Sequence, residues 1–394
     1  MLSLKRQWNI IFRVAKREMN LLLKRPVYIF STIFVMLFCC VFFLTLFDRS
    51  SPEKMPIGVV DMDRSTISRR VMHELEATQA VTVQGVYATY AQAREAMQRG
   101  QIYAFLVIPE RFYADLAAFK RPELTFYVNN AYTIGGSTGY KQLLLVMNLA
   151  SGAFQREVLR KKGMPEYMIM KRIQPLAVDA HFVGNPASNY IIYLMGIILP
   201  GILGVIVLMT TIYTIGSELK WSTSRDWLHA AEGSFTRAVV GKLLPHTLLY
   251  CAMGIATNIV MFRMMDLPLH GSFLYLNVGL IVYVLAIESV AVFWVGLIPM
   301  LRGALSAGAL YGMLSFSLSG FTYPKMAMLP WMQTLTNFFP LRHYYMIYVN
   351  EVLMGGSVML SLPHAMKLML FIVLVFLVAR RLHKAAIYLN YPKH

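Results

Sequence analysis

The 394-residue chain predicts an α-helical membrane protein, six transmembrane helices with an α/β (α+β) domain inserted after the first. Three observations carry that expectation. Hydrophobic residues make up 57% of the chain and charged residues 14%, against roughly 25% charged in soluble globular proteins. Several apolar windows reach about 20 residues, the length at which a helix crosses the hydrocarbon core. Between the first two windows, strand and helix patterns alternate over residues 48–186.

Residues 1–26 hold a basic amphipathic helix. Leu4, Trp8, Ile11, Ala15, Met19 and Leu22 recur at helical spacing, while Lys5, Arg6, Arg13, Lys16 and Arg17 fall mostly elsewhere. That pattern suits an interfacial helix and also ordinary flanking charge. The first span is expected at 27–47. It is too long for a signal-peptide core and no small-residue cleavage site follows it, so it reads as an uncleaved anchor.

Within 48–186, "MPIGVVDMD", "AVTVQGV", "IYAFLVIP" and "ELTFYVNN" read as strands. "STISRRVMHELEA" reads as a helix with Ser65 as N-cap, "TYAQAREAMQRG" as one ended by Gly100, and "ERFYADLAAF" as a third. A longer helix is expected over 135–162 and a last strand over "LAVDAHFVG". Cys39, Cys40 and Cys251 all lie in apolar windows, so this domain has no disulfide framework.

Residues 187–394 predict five more spans, at about 188–213, 237–262, 272–299, 303–323 and 363–384. Span five carries Ala304, Gly308, Gly312, Ser315 and Ser319, a small-residue face suited to close packing within the chain or at a dimer seam. The segment 324–345 is aromatic and broken by Pro324, Pro330 and Pro340. It reads as short re-entrant or interfacial helices on the outer side, with Trp331, Tyr344, Tyr345 and Tyr348 at a membrane interface.

The net charge of +17 raises nucleic acid as a partner, but the location of the charge opposes it. Sixteen of the 37 Lys and Arg lie beside apolar windows, in 1–26, 216–242, at Arg302 and in 380–394, with only four acids among them. This positive-inside bias places both termini and loop 216–242 in the cytoplasm of a cell inner (plasma) membrane, and 48–186 outside it. No nucleic-acid motif competes, and membrane lipid is the expected surround.

No catalytic, cofactor or metal constellation is expected. A G-x-x-x-x-G-K-[ST] phosphate loop is absent, and "GGSTGYK" at 135–141 is a poor cradle because Tyr140 separates Gly139 from Lys141. His73-Glu74 lacks the second histidine of a zinc-protease helix. Glu288 is different. It sits mid-window in "VYVLAIESVAVFWVG", where an intramembrane carboxyl is costly, and it reads either as a contact for a cation or proton or as a packing residue. His246 reads as a satisfied packing histidine.

The amphipathic loop 216–242 carries Glu218, Lys220, Arg225, Asp226 and Lys242 between apolar runs. Type-2 permeases of ABC transporters have there an E-(basic)-x-x-G-T start, then Leu-rich residues, then "GK" entering the next span. This chain resembles them in Glu218, Lys220, Ser222-Thr223, Trp227-Leu228 and Gly241-Lys242, with Trp221-Ser222 where the family glycine stands. "IGVVDMDRSTISRRVMHELEA" at 57–77 and "AREAMQRGQIYAFLVIPERFYADL" at 93–116 resemble the extracytoplasmic domain of the drug-exporter-like branch. "LSGFTYPKMAMLPWMQTLTNFFPLRHYY" at 318–345 is similar to the family's S-G-x-x-x-P…P-W…P-L segment.

The resemblance implies that 216–242 is a coupling element docking on a separate cytoplasmic ABC ATPase, with Glu218, Lys220, Arg225, Asp226 and Lys242 as its charged residues. It implies a second permease subunit, identical or not, and an exporter of hydrophobic or amphipathic substrate. A periplasmic adaptor on the outer domain belongs to the same expectation where the envelope is Gram-negative. The residues themselves leave open an ATP-independent transporter, although no inverted repeat is visible. A membrane-anchored ligand sensor is also open, although no segment expected in the cytoplasm exceeds about 30 residues.

Overall fold

The computed structural model describes residues 4–46, 54–78, 81–118, 120, 122–131, 133–173, 183–185, 190–388 and 391. The strand expected over "LAVDAHFVG" falls, apart from its last two residues, outside them. The chain divides into two compact units, residues 1–48 with 182–394, and residues 49–181.

In the first unit, α1 (Leu4–Lys24) gives way at Arg25 and Pro26 to α2 (Pro26–Ile29), a π-helical turn (Phe30–Phe34) and α3 (Val35–Leu46). Proline has no N–H and its ring would clash with the preceding turn inside a helix, but it fits the first helical position. Pro26 therefore separates the basic helix from the first apolar one.

The second unit is an α/β sandwich. Its sheet runs in the order β2-β1-β3-β4, with β1 (Met55–Asp61) parallel to β2 (Val81–Tyr87) and β3 (Ala104–Ile108), and β4 (Thr125–Val128) antiparallel to β3. The helices are α4 (Thr66–Glu76), α5 (Tyr90–Gln98), α6 (Phe112–Ala117), α7 (Thr133–Lys161) and α8 (Glu166–Ile173). Ser65 caps α4 by accepting a hydrogen bond from the Ser68 N–H, and Gly100 follows α5 with φ +72°. Ile57 and Val59 bury one sheet face against α4 and α7, and Val60 and Phe105 bury the other against α5.

The first unit resumes with α9 (Tyr190–Lys220), α10 (Ser224–Ala230), α11 (Phe235–Ile259), α12 (Phe273–Leu297) and α13 (Leu301–Ser317). The short helices α14 (Pro330–Leu335) and α15 (Pro340–Tyr348) follow, then α16 (Val358–Ile372) and α17 (Leu374–Tyr388). Pro330 and Pro340 start α14 and α15 rather than merely breaking a longer helix. The core lies on α9 and α12, which are mostly buried.

Among the described residues, five stretches are long and apolar enough to cross a membrane: Pro26–Leu46, Ile191–Lys220, Phe235–Met264, Phe273–Leu297 and Val358–Tyr388. The remaining expected span, span five at 303–323, appears as α13, whose 17 residues reach about 25 Å, short of a core of roughly 30 Å. Its small face packs within the chain. Ala304, Gly308, Gly312 and Ser315 are buried, and a side chain at Gly308 would run into Ile212 of α9.

The tyrosines of α15 are not an interfacial belt. Tyr344, Tyr345 and Tyr348 are buried, and only Trp331 is exposed. Tyr344 stacks on Tyr283 of α12 with ring centroids 5.0 Å apart, and the Tyr348 hydroxyl donates to the Ile192 carbonyl of α9 at 3.1 Å. The phenol bodies fill the bundle and the Tyr348 hydroxyl finds a backbone partner there, an arrangement that composition does not distinguish from a belt.

Candidate functional site

The loop between α9 and α11 is built around charges that lie far apart in sequence. Lys242, in the second turn of α11, has its ammonium 2.6 Å from Glu18 Oε2 on α1 and 2.8 Å from Glu218 Oε1 on α9. Arg17 places its two terminal nitrogens 2.7 and 3.2 Å from the two Glu218 oxygens, a bidentate pair. Thr223 donates its hydroxyl to Glu218, and His246 Nε2 lies 3.1 Å from Glu18 Oε1. Lys242, Glu18, Glu218 and His246 are each at most 3% exposed.

Two cations and two carboxylates thus balance. Such a buried set is costly to desolvate and holds only with its partners complete. Burial pushes the Glu18 carboxyl up, but the His246 hydrogen bond and the Lys242 charge outweigh it and hold the group below its ordinary value. With a depressed folded value, Glu18 contributes stability in full above its unfolded value of about 4.3 and loses it as pH falls through the lower folded value. Thermal unfolding should therefore show a melting temperature that drops on acidification below about pH 4.3, and Glu18→Gln should flatten that drop. An equal drop in the variant would show that other carboxylates carry it.

Gly241 makes the cluster possible. A Cβ there would lie 2.7 Å from Val14 Cβ and 2.9 Å from the Ile11 carbonyl oxygen, so α1 meets α11 almost backbone to backbone. One residue on, Lys242 reaches Glu18. Its ammonium also sits 5.6 Å from the ring centre of Trp227, whose Nε1–H donates to the Ala238 carbonyl at 3.0 Å.

Helix α10 is tied to the last helix as well. Ser224 Oγ donates to the Ala386 carbonyl at 2.7 Å, and the Arg225 guanidinium donates to the Ile387 carbonyl at 3.2 and 3.3 Å. A shallow groove of about 720 Å³ beside α10 is lined by Arg13, Arg225, Leu228, His229, Glu232 and His383, among others. Of the five loop residues singled out in the sequence, Glu218 and Lys242 meet inside the ionic cluster. Lys220 and Asp226 are exposed, and Arg225 is exposed with its guanidinium bound to α17. Arg17, Glu18 and His246 complete the cluster although sequence reasoning did not place them there. The available signal was Glu18, the single acid among residues 1–26.

Glu288 lies apart, buried on α12, with the Thr247 hydroxyl 2.9 and 2.7 Å from its two oxygens. It borders a cavity of about 290 Å³ between α11, α12, α16 and α17.

Residues 26–381 match the family model described as ABC-2 family transporter protein. The chain belongs to the ABC-2 transporter family. An ABC-2 chain is the membrane permease component of an ABC transporter, a transport subunit rather than a catalytic one, and its family normally works with an ABC ATPase. No curated protein and no solved structure matches it significantly. The matched span takes in the "GK" of α11 and the Glu288 cavity of this ABC-2 permease, and begins at Pro26, two residues after α1 ends.

Proposed function

We propose that this ABC-2 permease is one half of an ATP-driven exporter, in which α10 receives the movement of a separate ATPase and passes it to the membrane helices. The observation that carries this reading is the buried ionic cluster joining α9, α11 and α1 directly behind α10. A surface helix floating on solvent would absorb a push. Helix α10 is instead backed by a neutral, interlocked set of charges and bonded to the end of α17, so displacement is transmitted to several helices together. Glu218 and Lys242 act in that scaffold. Lys220, Arg225 and Asp226 present charge to the ATPase, beside the groove.

In this reading α13 serves as the fifth of six spans, both termini and α10 lie in the cytoplasm, and residues 48–186 lie outside it. Sequence charge bias supports that orientation in a cell inner membrane. A second permease subunit completes the pathway, through which hydrophobic or amphipathic substrate leaves outward. A periplasmic adaptor would meet the outer domain.

Purification from native membranes tests the proposal. An ABC ATPase should accompany the unaltered permease and be lost from the Lys220→Ala/Arg225→Ala/Asp226→Ala variant. Retention by the triple variant would move the docking surface away from α10. Absence from both under gentle extraction would favour transport without ATP.

A further inference from the structure

Resting on the transport reading above, we propose that the cavity beside Glu288 is a binding site for an apolar cation, an amine or quaternary onium whose charge meets that carboxyl. The inference begins with how this chain treats its other buried acids. Among the described residues, four acidic side chains are buried: Glu18, Glu218, Glu288 and Glu351. Glu18 and Glu218 face Lys242, and Glu218 also faces Arg17. Glu351 accepts from the Ser272 backbone N–H at 3.1 Å, from Ser361 Oγ at 2.9 Å and from Asn350 Nδ2 at 3.3 Å.

Glu288 is provided for differently. Its partner is Thr247, and that hydroxyl has one proton for three acceptors: Glu288 Oε1, Glu288 Oε2 and the Leu243 carbonyl at 3.0 Å. The nearby Ser289 hydroxyl already donates to the Leu285 carbonyl at 2.7 Å. No Lys, Arg or His lines the cavity. A buried carboxylate with one shared hydroxyl donor and no cation is unfavourable, and a cation from outside supplies what the chain does not.

The remaining lining fits the rest of such a ligand. Val239, Leu243, Leu285 and Val375 give an apolar wall, and the volume of about 290 Å³ is at the low end for small-molecule sites. Val240 is 44% exposed and Phe376 66% exposed, so the cavity opens sideways between α11 and α17. From Phe235 to Thr247 the α11 wall rises about 18 Å, which leads from the α10 end of the helix inward to the carboxyl. An amphipathic cation entering from the membrane would slide its hydrocarbon along that wall and stop with its charge at Glu288.

The test uses the purified full chain in detergent, without an ATPase, and radiolabelled tetraphenylphosphonium as the probe. Tetraphenylborate has the same shape and the opposite charge. The cation should bind saturably, the anion should not compete, and Glu288→Gln should weaken binding about tenfold or more. Val240→Trp, which fills the mouth and leaves the carboxyl in place, should weaken it too and carries the test if Glu288→Gln does not fold. Binding that survives both variants, equal competition by the borate, or no saturable binding would each overturn the proposal. ATPase co-purification is a separate readout, so failure of one reading does not disguise failure of the other.

Discussion

Lys242→Met should destabilise the protein by about 3–5 kcal/mol, the usual consequence of removing one partner from a buried ion pair. The ammonium is 2% exposed and is shared by Glu18 and Glu218. Methionine fills a similar volume, so packing is nearly preserved and the charge is what is lost. Glu218 keeps Arg17 and Thr223. Glu18 keeps only the His246 contact, and a carboxylate is left buried without its main cation. The loss should therefore fall mainly on the docking of α1. Thermal unfolding of the purified protein would measure it, and limited proteolysis would show cleavage within 4–24 well below the unfolding temperature. Glu18→Gln combined with Lys242→Met should recover part of the loss, because the orphaned charge is gone. A double variant as unstable as the sum of the single ones would mean that Lys242 and Glu18 act independently.

Gly241→Val should separate α1 from α11 by steric means alone. Judged by helix propensity, replacing an interior glycine is mildly favourable, by a few tenths of a kcal/mol for valine. The close approach acts in the opposite direction. The added carbon meets Val14 Cβ at 2.7 Å and the Ile11 carbonyl oxygen at 2.9 Å, and that oxygen belongs to backbone and cannot rotate away. Overpacking of this kind costs about 1–3 kcal/mol, so the contact wins. Protease sensitivity of α1 should rise while Lys242 itself is unchanged. In the transport reading, ATPase would still bind α10 but drive transport poorly. Unchanged melting and unchanged proteolysis would show that α1 tolerates a looser fit.

These two residues also mark the boundary of what could be read in advance. The alternating elements of 54–128 were legible because period-2 and period-3.6 patterns are local, as are the Ser65 cap and the Gly100 stop. The apolar windows were legible for the same reason. The buried cluster was not. Glu218 and Lys242 border apolar spans, as solvated flanking charges do, and their partners on α1, Arg17 and Glu18, lie more than 200 residues away. Nothing in residues 216–242 signals that a carboxyl from α1 will arrive. The face of α1 was ambiguous too. Ile10, Val14, Ala15 and Leu22 are buried, while Trp8, Phe12, Met19 and Leu23 remain exposed. The helix has two adjacent apolar sides, and a periodicity count merges them. Tyr344, Tyr345 and Tyr348 misled because an amphipathic ring satisfies a membrane interface and a polar-lined core equally well.

The separation between Glu18 and Lys242 also sets an order of events during synthesis. Helix α1 leaves the ribosome first, and its partner follows 224 residues later. At about 5–20 residues per second, that is a wait of roughly 10–45 seconds. Throughout it, Glu18 has neither Lys242 nor His246, and α1 has no Gly241 surface to lie against. A chain truncated before α11 can never seat it. Docking of α1 thus requires that α11 has been made, because the Lys242 charge and the Gly241 surface are both on it.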